Sequence, residues 1–268
     1  MAIACATSLF CRSSLEEALR GIRGLGFDKI DLAMIDGWIH VNTTDLARDY
    51  AGTLAQVDSL LHKYALTPIL VNAGVSSLLH DRSPEGKSKR QAETEALIRF
   101  MNHYGIAVSA VQPRTPDPSR PRGEVLRDSA ATMRDLVAMA SGTGVTFALE
   151  CHVRSIVETM AEAQEMMRLV PELAIAYDPT HQVMQGVPLA DTLPLLERAA
   201  YVALRDASPG HGQAGYGEGT VDFDWILGRL KERGYQGHFS VEYLAEKGED
   251  LREDVLQMKA KIAEWFPE

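Results

Sequence analysis

Eight short apolar runs, each followed by a longer stretch with helical spacing, constrain this chain more than any other feature. The runs are IACATS from Ile3, KIDLAM from Lys29, PILVNA from Pro68, IAVSAV from Ile106, VTFALE from Val145, LAIAYD from Leu173, YVALRD from Tyr201 and HFSVEY from His238. Regular strand-then-helix alternation implies a parallel sheet, because parallel neighbours need a long crossover connection. Eight such units within 268 residues fit a closed (β/α)8 TIM barrel, a fold that runs to about 250 residues as one domain. We expect an α/β fold with a single domain spanning residues 1–268. No GxGxxG follows a strand, which argues against a dinucleotide fold.

Helical spacing is clearest in three places. Leu46, Tyr50, Leu54, Val57, Leu61 and Tyr64 recur at steps of four and three and predict one helical face. Ile156, Met160, Ala163, Met167 and Val170 do the same, with Ser155 and Glu158 spaced as a capping box at the start. Leu251, Val255, Met258, Ile262 and Trp265 predict a closing helix. Gly105, Gly144 and Gly234 precede strands, where a helix must stop. PRTPDPSRPRGE from Pro113 reads as a long loop after the fourth strand.

The formal net charge of -10 repels phosphate backbones, so neither nucleic acid nor an anionic membrane is an expected partner. Three cysteines without CxxC spacing indicate neither a disulfide framework nor a zinc knuckle. No apolar stretch approaches the length of a membrane span. A cytoplasmic location is the expectation.

In a parallel barrel the chemistry sits at the carboxyl ends of the strands. Side chains two apart share a face, so alternation shows which strand-end residues point inward. With Phe147 and Leu149 toward the helices, Glu150 points in; with Ile175 and Tyr177 out, Asp178 points in; with Phe239, Val241 and Tyr243 out, Glu242 points in. Three carboxylates converging on one rim repel unless something neutralises them. A hard divalent cation would do so, and oxygen ligands favour magnesium or manganese. The ordinary alternative is pairing with arginine or lysine.

ALECH around Glu150, YDPTH around Asp178, LRDAS after the seventh strand, the GYGEGTVDF run and SVEYL around Glu242 resemble the xylose-isomerase-like TIM barrels. This is the sugar phosphate isomerase and epimerase group, which also contains endonuclease IV-type nucleases. The resemblance implies metal ligands at Glu150, Asp178 and Glu242, and a substrate-binding role for His181 through its DxxH pattern. It also implies a catalytic pair, Glu150 and Glu242, flanking an enediolate formed from a small carbohydrate, and it allows a homo-oligomer. The seventh strand departs from the pattern: the family's VHLKD-like run is Val202-Ala203-Leu204-Arg205-Asp206 here, and Ala203 cannot bind metal. His211, in the glycine-rich loop beyond, is a candidate replacement ligand. We expect a metal to be retained, more weakly held, with manganese or magnesium ahead of zinc or cobalt.

His152 joins His181 as a candidate for holding substrate hydroxyls, and Arg205, inward by alternation, for an anionic or carbonyl group. Arg114, Arg120 and Arg122 are candidates to meet an anionic group at the mouth. Backbone amides among Gly210, Gly212, Gly215, Gly217 and Gly219 offer a phosphate cradle. Other readings on the same scaffold are a dehydratase, if the enediolate eliminates a leaving group, and a non-catalytic sugar-binding barrel with a degraded metal site. A multinuclear zinc nuclease is disfavoured by Ala203, by the absence of histidine in PILVNAGV and by the acidic charge.

Overall fold

A computed structural model describes residues 1–267. The strands are β1 (Ile3–Ala6), β2 (Lys29–Ile35), β3 (Ile39–His40), β4 (Thr67–Gly74), β5 (Val108–Val111), β6 (Thr146–Glu150), β7 (Ala174–Tyr177), β8 (Ala199–Leu204), β9 (Asp206–Ser208), β10 (His211–Ala214) and β11 (Phe239–Val241). The main sheet runs β1-β11-β8-β7-β6-β5-β4-β2, and β1 also pairs with β2, so eight parallel strands close into a barrel. β3 adds an antiparallel hairpin on β2, and β9 pairs antiparallel with β10. All eight expected runs contribute a barrel strand, with ends that differ from the expected ones by a residue or two.

Around the barrel lie α1 (Leu15–Gly24), α2 (Thr43–Arg48), α3 (Tyr50–Tyr64), α4 (Pro84–Tyr104), α5 (Arg122–Ala140), α6 (Met160–Leu169), α7 (Thr180–Met184), α8 (Leu193–Leu196), α9 (Phe223–Glu232) and α10 (Arg252–Trp265). None of the described helices is long and apolar enough to cross a membrane.

Two local expectations are corrected. The apolar face from Leu46 to Tyr64 belongs to two helices: Asp49 leaves helical geometry (φ -138, ψ 76) and caps α3 by accepting from Gly52 N. Spacing alone missed the break because Asp49 interrupts the backbone and leaves the apolar stripe intact. The capping box of α6 is Thr159–Glu162, four residues beyond the expected Ser155–Glu158. Arg154 adopts a left-handed φ of 62 and its N–H donates to Glu158 Oε1, so this segment turns before the helix starts.

Side-chain alternation divides the core into two layers. Cys5, Leu32, Val71, Val111, Phe147, Leu149, Ile175, Tyr177, Val202, Leu204, Phe239 and Val241 pack outward against the helices. Ala4, Leu70, Ala110, Ala148, Ala176, Tyr201 and Ala203 fill the barrel interior. Small residues dominate there because the strands converge, and Tyr201 is the one large plug. Its hydroxyl, with Ser240 Oγ, donates to Asp31, a carboxyl buried inside the barrel.

Candidate active site

A cavity of about 330 Å³ opens at the carboxyl ends of the strands, with Glu150, His152, His181, Arg205 and Glu242 in its wall. Alternation delivers these residues. Glu150 ends β6 one residue after outward Leu149, Arg205 follows outward Leu204 on β8, and Glu242 follows outward Val241 on β11. Asp178 follows β7 and His181 stands on α7, and both are buried beside them.

Arg205 organises one half of the site. Its Nη2 lies 2.9 Å from Asp178 Oδ2 and its Nη1 3.7 Å from Glu242 Oε2. It also donates to the Glu242 backbone carbonyl at 3.0 Å and to Gly212 O at 3.2 Å. The other Asp178 oxygen accepts from Thr180 N and Thr180 Oγ1. Burial raises the Asp178 carboxyl, but the Arg205 charge and the Thr180 donors outweigh it and leave it below its ordinary value. Burial also opposes the Arg205 charge, and the facing carboxylates more than compensate. Asp178 thus forms a buried ion pair with Arg205.

Glu150 and Glu242 are pushed in opposite directions. Burial raises Glu150, yet the His181 hydrogen bond and the two flanking imidazoles bring it below its ordinary value. Burial raises Glu242 well above that range, aided by Glu150, Asp178 and Asp31 and only partly countered by Arg205. A side-chain chain links the two: Gln112 Nε2 donates to Glu150 and to Asn72 Oδ1, and Asn72 Nδ2 donates to Glu242 Oε1 at 3.2 Å. Asn72 and Gln112 were missed in the sequence, although the alternation rule reaches both. Asn72 is in phase with inward Leu70, and Gln112 with inward Ala110.

Residues able to hold a metal form a different set from the three carboxylates. One ligand atom each from Glu150, His152 and His181 lie within 4.8 Å of one another. His181 Nε2 sits 3.0 Å from Glu150 Oε1 and 3.3 Å from Asp178 Oδ2, so it carries the ring proton. Its Nδ1 is buried without a hydrogen-bond partner among the described residues. His152 Nδ1 lies 2.6 Å from the Val153 carbonyl, leaving Nε2 unprotonated. Burial lowers the His152 pKa, against the pull of Glu150. His152 is thereby favoured in its neutral form, the form that ligates metal, and its ring lies 3.9 Å from that of His181. This donor set fits a divalent ion; Asp178 Oδ2 faces the Arg205 guanidinium at 2.9 Å without a hydrogen bond among the described residues, and Ala203 presents only a methyl.

His211 is not part of this arrangement. It is exposed on the β9–β10 hairpin, where antiparallel pairing holds it opposite Ser208. The glycine-rich loop is no phosphate cradle either. Asp206 accepts from the N–H groups of Gly217 and Gly219 through Oδ2, and of Ala207 and Val221 through Oδ1. An internal carboxylate already occupies these loop amides.

A closed parallel barrel with buried acids and histidines at its carboxyl rim defines a class of barrel proteins with polar active-site mouths. The chain belongs to the xylose isomerase-like TIM barrel family, whose model matches residues 19–263. It is similar to L-ribulose-5-phosphate 3-epimerase of Shigella boydii serotype 18, 23% identical over 268 residues, covering 92% of this chain and 89% of the relative. Its fold is similar to that of the IOLI protein solved with a zinc atom (TM-score 0.72, 18% identity, 100% of both chains). It is also similar to a xylose isomerase-like TIM barrel protein from Mycobacterium smegmatis solved with magnesium (TM-score 0.72, 19% identity, 97% of both chains).

Proposed function

We propose that this chain is a sugar isomerase or epimerase that moves a proton through an enediolate, with Glu150 as base and Glu242 as acid. The observation that carries the reading is the pairing of two buried glutamates in one cavity, joined through Gln112 and Asn72, with opposite protonation preferences. Pairs of titratable groups whose environments drive their pKa values apart are the usual signature of acid and base roles. Ionised Glu150 removes a proton from the carbon beside the carbonyl, and protonated Glu242 returns one to the planar intermediate. Arg205, fixed by Asp178, donates to the oxygen on which charge develops. Trp38, half exposed at the cavity edge, offers an apolar platform for the sugar. The relative's activity on a ketose phosphate supports a ketose or ketose phosphate as substrate.

Glu150, His152 and His181 are the proposed metal-holding residues. Two imidazoles and one carboxylate suit zinc, cobalt or manganese better than magnesium. When bound, such an ion polarises a substrate oxygen as a Lewis acid.

The test is incubation of metal-supplemented protein with L-ribulose 5-phosphate, L-ribulose and D-allulose in D2O. Deuterium incorporated beside the carbonyl, with all substrate oxygens kept in the product, is the expected result. Glu150→Gln and Glu242→Gln should each lose about 100-fold or more in exchange rate. The alkaline limb of the pH profile should belong to Glu242, because the rate falls once that raised carboxyl ionises. Loss of water from the substrate would indicate the dehydratase instead, and absence of exchange with every ketose would overturn the reading.

A further inference from the structure

We propose that the mouth of the cavity binds an anionic group on the substrate, a phosphate or carboxylate remote from the reacting carbons, between Arg114 and Arg154. The proposal rests on the reading of this cavity as the sugar site and adds the class of sugar it takes. Among the described residues three other than glycine have a positive φ: Ala65 (51), Arg114 (59) and Arg154 (62). Ala65 ends α3, where a left-handed residue is common. The other two are both arginines, and both line the cavity.

Their placement follows from the barrel. β5 and β6 pair in parallel with Val111 opposite Leu149, so Arg114 and Arg154 stand on adjacent loops, three and five residues past that pair. Glycine would adopt either backbone geometry without strain. Strained residues concentrated at a cleft point to a use for the side chain there.

Electrostatics support the same conclusion. Arg120 and Arg122, the other arginines of the Pro-rich stretch, are tied to Asp128 at 2.5 Å and to Glu162 at 2.6 Å. Arg205 is held by Asp178. Among the described residues the Arg114 side chain makes one hydrogen bond, to the Asp36 carbonyl at 3.4 Å. The Arg154 side chain has no hydrogen bond or ion pair among the described residues. In a chain of net charge -10, two guanidinium groups without a carboxylate partner share one opening. Guanidinium forks match the geometry of phosphate and carboxylate oxygens. Asp206 takes the Gly217 and Gly219 amides of the glycine loop, so those two backbone donors do not compete with the arginines for an anion. An anion held there leaves the opposite end of the sugar directed to buried Glu150 and Glu242.

Titration calorimetry with L-ribulose 5-phosphate, L-ribulose, inorganic phosphate and acetate tests the proposal. The phosphate ester should bind about 100-fold more tightly than the neutral ketose, and each of Arg114→Ala and Arg154→Ala should lower that preference about tenfold, as for charged hydrogen bonds. Stronger binding of inorganic phosphate than of acetate assigns a phosphate ester; the reverse assigns a sugar acid. Arg114→Gly and Arg154→Gly relieve the backbone strain and should unfold no earlier than wild type while losing the anion preference, which separates lost binding from lost folding. Glu150→Gln and Glu242→Gln should keep the preference, so failure of the catalytic reading is distinguishable. A double arginine variant with wild-type preference, or a wild-type chain that favours neither anion, overturns the proposal.

Discussion

Arg205→Met exposes what the buried guanidinium contributes. The side chain is buried against Asp178 at 2.9 Å, and methionine of similar length fills its space without its charge. Glu242 is already driven toward its neutral form, so the cost falls on Asp178, left buried and unpaired. Removing one partner of a buried ion pair costs about 3–5 kcal/mol. For a chain of this size that is roughly 10 °C in Tm.

The penalty has a pH signature. In the wild type the Asp178 pKa is depressed below 3.8, so its contribution is present above pH 3.8 and lost as pH falls through the lower folded value. In Arg205→Met the folded pKa rises, and stability is instead lost as pH climbs above the unfolded value. The gap between the two proteins should therefore be smaller near pH 4, where only the wild-type contribution is present, and full at pH 7.5, where the variant's penalty is added. Urea unfolding of chelator-treated protein at both pH values measures it. Arg205→Met with Asp178→Asn should recover more than half of the loss, because the uncompensated charge is gone. A gap of equal size at both pH values, or a double variant no better than the single, would refute the pairing account.

Two further outcomes follow from other parts of the molecule. His152→Ala removes one of three ligands and should weaken zinc binding by about 100-fold or more in equilibrium dialysis, since loss of a partner one shell further out already costs about 10–100-fold; undiminished zinc binding contradicts the Glu150–His152–His181 centre. Asp31 is raised from 3.8 to about 6, chiefly by burial. It keeps its proton in the fold where the unfolded chain releases it, so about 3 kcal/mol of stability is lost between about pH 4 and 6. Asp31→Asn should flatten that slope in urea midpoints, and an unaltered slope would show that the barrel interior does not hold a protonated Asp31.

The barrel was legible because its physics is local and periodic. Apolar runs of strand length alternate with helical spacing, and this pattern requires no long-range information to imply eight parallel strands. The same period of two aimed Glu150, Arg205 and Glu242 inward, and it reaches Asn72 and Gln112 as well. Local backbone geometry was less legible. Asp49 breaks a helix without disturbing its apolar stripe, and Thr159 caps α6 where Ser155 has equivalent spacing.

Partner choice depended on the tertiary structure. Nothing in the spacing of LRDAS indicates that Arg205 pairs with Asp178, that Asp206 fills the glycine loop, or that His211 faces solvent on a hairpin. Each depends on side chains brought together from distant strands, where a buried charge takes the nearest compensating group. The sequence by itself determined the barrel and the rim on which its acids and histidines stand. Only the tertiary structure decided that Arg205 neutralises Asp178 while Glu150 is left to the two imidazoles, because in a buried site the distances among the charges set their protonation and pairing.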